Sequence, residues 1–344
     1  MISGSATSEH TAGYKARFPA FREFFREVQG VTVSSLGIGS YLGAIDRETD
    51  NAYEESMRVA IQNGINFIDT ALNYRDQNSE RAIGAAIAKL IGHGRVQRSE
   101  FVIATKAGYF VPGAIPEGAE LEPEVVGSHS LAPGFLLDQL ERSRTNLDLE
   151  TIDIFYLHNP ETQLGNVSED EFYKRIARAF EVLEEAVSDG KIRFYGTATW
   201  TGYRQASGGL SLRRLEEIAR SIAGDLHKFR FIQLPLNLAM PEALHLRDQD
   251  DQSVLDVAVD LDIAVVASAS ILQARLARDL PPLLRDRLNG LTTDAQRAIQ
   301  FTRSTPGVDV ALVGMSKPAH VVENLHVAKV EPVGVEEYLA LFRK

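Results

Sequence analysis

Apolar residues in this chain recur in short β-branched or aromatic runs, separated by longer stretches in which they return every three or four positions. The short runs are "SSLGIGS" (34–40), "INFIDT" (65–70), "FVIATK" (101–106), "IDIFYLH" (152–158), "IRFYGTAT" (192–199), "FIQLPLN" (231–237), "IAVVASAS" (263–270) and "VDVALVG" (308–314). Each has the length and residue types of one buried strand. Between them, "YEESMRVAIQNG" (53–64), "FYKRIARAFEVLEEAVSDG" (172–190) and "LRRLEEIARSIAG" (212–224) have helical spacing and close on glycine, the residue a helix C-terminus favours.

Strands alternating with helices build either an open doubly wound sheet or a closed barrel. The count of eight, the even spacing and the lack of a Gly-x-Gly-x-x-Gly turn entering a helix favour an α/β fold of the (β/α)8 TIM-barrel type. Gly37-Ile38-Gly39-Ser40 is only half of such a fingerprint. No composition shift or long linker divides the chain, so one barrel domain is expected over 31–344, preceded by an N-terminal arm over 1–30. A short helix is predicted in the arm around "FPAFREFFREV" (18–28). Two connections exceed what a barrel requires: 107–132 after the third strand and 238–252 after the sixth. Both are βα loops, which line the functional end of such barrels.

Composition narrows the setting. With 344 residues, 44% of them hydrophobic and 24% charged, the chain can bury a large core. A net charge of -11 and a pI near 5.3 argue against a nucleic-acid or anionic-membrane partner, which would call for clustered Lys and Arg. There is no cysteine, which excludes disulfides and thiolate metal sites and is compatible with a reducing compartment. No signal-peptide pattern or bilayer-length apolar run is present, so a cytoplasmic location and no membrane association are expected. His129, His158 and His245 lack ligand spacing, and no metal is expected.

Barrel geometry gives the polar residues at strand ends their meaning. Asp69, Lys106 and His158 close the second, third and fourth strands, and Tyr74 follows Asp69 by five positions. Neighbouring strand ends share one mouth, so a carboxylate, an ammonium and an imidazole converge there with a phenol nearby. Singly, each has an ordinary alternative as a cap, a solvated lysine or a structural histidine. Together they form ionisable groups able to offset one another's charge.

"INFIDTALNY" (65–74) resembles the signature of the aldo-keto reductases. The resemblance continues through "FVIATK", "LERSRTNLDLETIDIFYLHNPE", "YGTATW", "FIQLPLN" and "VALVGMSKPAHVVENL", in the family's order over about residues 33–330. The family's catalytic set falls on Asp69, Tyr74, Lys106 and His158, unchanged in type. The resemblance implies hydride transfer from reduced nicotinamide to an aldehyde or ketone, or the reverse. Tyr74 is then the general acid or base, its pKa lowered from about 10 by Lys106. Asp69 holds Lys106 and belongs to the cofactor wall, and His158 polarises the substrate carbonyl.

The implied cofactor is NADPH/NADP, with NADH as an alternative. Gly39, Ser40 and Tyr41 match the first cofactor-contacting turn and Gln233 the position that holds the nicotinamide carboxamide. Two positions depart from the pattern: Ala198-Thr199 stands where Ser-Asn is common, and Ser268 stands where an aromatic usually stacks on the nicotinamide. Ser316, Lys317 and His320 match the region around a 2′-phosphate, with Glu323 and Asn324 at the adenine; Lys317 favours NADPH, while His320 replaces a usual Arg. Tyr109, Phe110 and Trp200 are expected to shape a partly aromatic mouth for a small-molecule carbonyl or alcohol. Substrate, direction and oligomeric state are left open. Two rivals stand beside this reading: a nicotinamide-binding regulatory or interaction subunit with little turnover, and an aldolase with Lys106 as Schiff-base nucleophile.

Overall fold

Eight parallel strands close into a barrel in the computed structural model, which describes residues 1–119, 122–205 and 208–342. They are β1 (Leu36–Gly39), β2 (Phe67–Asp69), β3 (Val102–Ala107), β4 (Ile152–His158), β5 (Ile192–Ala198), β6 (Phe229–Pro235), β7 (Ala264–Ser268) and β8 (Val310–Gly314), neighbours in chain order, with β8 pairing β1 to complete the ring. The expected (β/α)8 TIM barrel is therefore the observed fold.

The strands read as nearly continuous apolar runs because both faces are buried. Phe67, Val102, Ile154, Phe231, Ala264 and Val310 belong to the cluster inside the barrel, whereas Ile68, Ile103, Phe155, Ile232 and Val265 join the larger cluster under the helices. The helical segments form Arg47–Gln62, Glu169–Ser188 and Leu212–Ala223, and Ser168 and Ser211 cap the latter two by accepting from backbone N–H groups. Gly190 and Gly224 end these two helical segments at φ 73° and 66°, where a Cβ would be strained.

The arm differs from expectation. Its helix is Ser8–Ala16, started by a Thr7 cap, and residues 18–28 are not helical. Phe18, Phe21, Phe24 and Phe25 imitate a helical stripe, but their rings pack on one another. Phe25–Val28 then pairs antiparallel with Val31–Ser34 through a two-residue turn, Gln29 (φ 47°) and Gly30 (φ 78°), both left-handed as a tight hairpin requires. Val28, Val31 and Val33 join the apolar cluster inside the barrel and stop its N-terminal end.

The loop after β3 carries a small hairpin, Val125–Val126 with His129–Ser130, and the loop after β6 a short helix, Glu242–His245. A third long connection, unmarked by the sequence pattern, runs from β7 to the helix Asp294–Ser304. No helix among the described residues is long and apolar enough to cross a membrane.

Candidate active site

Strand register brings the candidate residues level. Asp69 pairs with Gly39 on one side and Ala104 on the other, Lys106 with Tyr156, and His158 with Ala198. All three ionisable side chains consequently reach the C-terminal rim. There the Lys106 Nζ donates to Asp69 Oδ2 at 2.6 Å and to the Thr70 carbonyl at 2.7 Å. The other Asp69 oxygen accepts from Gln233 Nε2 at 2.8 Å. Lys106 is fully buried, and its Nζ lies 4.9 Å from the centre of the Tyr74 ring. The Tyr74 and His158 rings meet edge to face at 5.8 Å, and Tyr41 meets Tyr74 at 5.0 Å.

Burial governs the titration of this group. It pushes the Asp69 carboxyl up and the Lys106 amine down, with each partner's opposite charge resisting the change. The Tyr74 phenol is pushed well up by burial, then by the Asp69 carboxylate and by Tyr41. The expected lowering by Lys106 does not appear, because that ammonium is matched at 2.6 Å by Asp69. Tyr74 therefore holds its proton firmly. His158 is pushed well below the ordinary histidine range by burial, then Lys106, then His129, and is neutral at ordinary pH. Its backbone carbonyl is 2.8 Å from His129 Nε2.

A cavity of about 650 Å³ opens above this cluster. Asp69, Tyr74 and His158 line it, as do Gly39, Ser40, Tyr41, Thr199, Gln233 and Ser268, the aromatic residues Tyr109 and Trp200, and His320, Glu323 and Asn324. The candidate residues thus come to one place with four exceptions. Lys106 lies beneath the floor, behind Asp69. Phe110 is outside the lining, its ring packed 5.2 Å from Phe135. Ser316 and Lys317 follow β8 beyond the cavity lining, between Gly314 and His320, with Lys317 exposed.

Sequence reasoning missed several lining residues. Asn73 and Asn159 directly precede Tyr74 and follow His158, and the amide of Asn159 donates to the Tyr109 hydroxyl at 3.0 Å. Ser270, Ile271 and Gln273 come from the loop after β7, in which Ala269, Leu272, Gln273 and Ala274 adopt φ of 54°, 46°, 51° and 67°. Left-handed backbone in non-glycine residues leaves no compositional trace. Glu80 was also missed. It is a second buried carboxylate, accepting from Thr105 at 2.6 Å and Asn146 at 2.9 Å, close enough to support the charge of Lys106.

One wall of the cavity is bare backbone. Gly39 and Gly314 are paired across β1 and β8, and a Cβ added at either meets nothing closer than 3.9 Å, so bare backbone faces the opening. With Ser268 in place of a ring, this wall presents width instead of an aromatic face.

The family model described as the aldo/keto reductase family matches residues 35–340, and the chain belongs to that family. Among solved structures, an aldo/keto reductase from Klebsiella pneumoniae in complex with NADP and acetate is 21% identical, with 94% of this chain and 95% of that one covered and a TM-score of 0.65. An aldo-keto reductase from Bacillus halodurans in its holo form is also 21% identical, with 93% and 94% covered and a TM-score of 0.65. A Schizosaccharomyces pombe protein named as a candidate voltage-gated potassium channel β subunit is 25% identical over 317 residues, 86% of this chain and 85% of its own.

Proposed function

We propose that the chain is an NADPH-dependent oxidoreductase that reduces an aldehyde or ketone to an alcohol, or runs the reverse reaction, in the cytoplasm. The carrying observation is the buried Asp69–Lys106 pair beneath a protonated Tyr74 and a neutral His158 that both face one cavity. The crystallisation of a family member with NADP supports the cofactor. The donor set fits it: Gln233, fixed by Asp69, with Thr199, Ser268 and the bare Gly39 and Gly314 backbone would hold the nicotinamide end, and His320, Glu323 and Asn324 the other. When bound, NADPH supplies the hydride.

The chain's own residues handle the proton. His158, neutral, offers a ring N–H to a carbonyl oxygen or a lone pair to a hydroxyl. Tyr74 gives its proton to the oxygen as negative charge develops there. The raised phenol pKa makes it a reluctant donor, so the proton leaves only as negative charge builds on the oxygen it meets; the Lys106 ammonium lies 4.9 Å from the ring centre with its charge matched by Asp69. Asp69 keeps that ammonium charged and in place. An aldolase reading fits less well, since Lys106 is buried, engaged at two oxygens and absent from the cavity wall.

The test is a titration of the purified protein with NADPH and NADH, followed by absorbance of reduced nicotinamide with a panel of aldehydes. Tight NADPH binding with turnover supports the proposal. Binding without turnover across the panel supports the second reading, a nicotinamide-binding regulatory subunit, which the likeness to the channel-subunit candidate favours. Binding of neither cofactor overturns both.

A further inference from the structure

Trp200, the sole tryptophan, lines the cavity yet is 43% exposed, and its backbone is held from both sides. Glu161, in the turn after β4, places one carboxylate oxygen within hydrogen-bond distance of three consecutive N–H groups after β5. Trp200 donates at 2.7 Å, Thr201 at 2.9 Å and Gly202 at 3.2 Å. Arg204 reaches the Trp200 carbonyl at 3.4 Å while forming a two-pronged pair with Glu242 of the loop after β6, at 2.7 and 3.3 Å.

Glu161 is itself largely buried, and among the described residues no cation pairs with it; burial pushes its carboxyl up against the pull of those N–H groups. A buried carboxylate without a counter-ion is an expensive way to fix a surface turn, since Ser, Asn or water satisfy such N–H groups at less desolvation cost. What the arrangement does uniquely is lock the φ and ψ of the residue whose large side chain stands at the cavity entrance. His158 lies three residues before Glu161 on the same segment, so the turn that follows His158 also sets the wall beside it, at the end of the neighbouring strand.

We propose that Glu161 is a positioning residue that sets the Trp200 wall and thereby the size of carbonyl compound admitted. This rests on the reductase reading for its substrate, but the geometry it asserts is readable without turnover. No part of Glu161 lines the cavity, so its effect on specificity passes through Trp200.

The experiment compares Glu161→Ala and Glu161→Gln with the unaltered chain by Trp200 fluorescence, its quenching by acrylamide, and kcat and KM for para-nitrobenzaldehyde and propionaldehyde. Loss of three hydrogen bonds to a charged acceptor is expected to free the indole. The quenching constant rises about twofold or more in the Ala variant and by less in the Gln variant, whose amide oxygen still accepts. The KM for the aromatic aldehyde rises about five- to tenfold relative to that for the small one, with kcat for the small aldehyde within about twofold. In a Trp200→Ala background the Glu161 substitution adds no further change in that ratio. Unchanged quenching in either folded variant overturns the proposal, as does a KM ratio that shifts equally with and without Trp200. If no aldehyde is turned over by the unaltered chain, the reductase reading fails while the quenching comparison still decides the role of Glu161. If the Ala variant does not fold, the Gln variant alone carries the same test.

Discussion

Gln233 and Asp69 join hands across the mouth of the barrel: β6 and β2 lie on opposite sides of the ring, and the Gln233 amide donates to Asp69 Oδ1 at 2.8 Å. One carboxylate thereby fixes Lys106 with one oxygen and a cavity-wall amide with the other. Gln233→Leu leaves Asp69 Oδ1 buried without that donor and is expected to lower stability by about 1–3 kcal/mol. It also removes the carboxamide from the wall. Chemical denaturation and NADPH titration check both effects, and unchanged cofactor affinity would remove Gln233 from the proposed nicotinamide site.

Tyr74→Phe keeps the ring against Tyr41 and His158 and deletes only the hydroxyl. Turnover is expected to fall by about 10²–10⁴, the usual worth of a positioned acid, while NADPH affinity stays within about twofold. A variant that retains more than a tenth of the unaltered rate would show that the proton comes from elsewhere.

His129 is buried and its pKa is depressed to about 4, by burial against the smaller support of the His158 carbonyl. A histidine whose native pKa lies below its unfolded value adds stability that is full above about pH 6.5 and is lost as pH falls towards about 4. The slope is up to ~1.4 kcal/mol per pH unit within that window. Thermal unfolding followed from pH 7 to pH 4 should show this loss. His129→Gln, which keeps a donor for the His158 carbonyl but cannot charge, should reduce it and leave the share that comes from His158, whose own pKa is depressed.

Arg75, Asp76 and Gln77, directly after Tyr74, adopt φ of 52°, 49° and 71°. Arg75 anchors the turn by donating to the Ala44 carbonyl at 2.8 Å and pairing with Asp50 at 2.5 Å, which also ties it to the loop that bears Tyr41. Asp76 is exposed, and glycine tolerates its backbone angles better. Asp76→Gly should raise stability by about 0.5–1 kcal/mol, read as an increase of about 1–2 °C in Tm.

The barrel was legible because its strands are buried on both faces and its helices are periodic, so pattern alone separated them. Asp69, Tyr74 and His158 could be placed at one rim because strand ends share a direction. What lay hidden depended on features without a periodic signature. The left-handed turn at Gln29-Gly30 converted a run of phenylalanines into a hairpin. The β7 loop acquired its path from Ala269, Leu272, Gln273 and Ala274 in unfavoured backbone states. The packing of Phe110 was hidden because nearness in sequence to Tyr109 does not fix which way a loop side chain points, and the burial of Glu80 because a helical carboxylate ordinarily faces solvent.

The hairpin under the barrel closes the end away from the cavity. Val28, Val31 and Val33 seal the lower end, and Lys106 is without exposed surface. The ammonium is therefore a charge held in a closed cellar: it is tied to Asp69 and the Thr70 carbonyl, and the Tyr74 ring lies on its cavity side. In the proposed reaction a proton given up at the mouth would be replaced through the mouth, and the barrel would work as a vessel with a single opening, in which ligands and hydrogen ions share one gate.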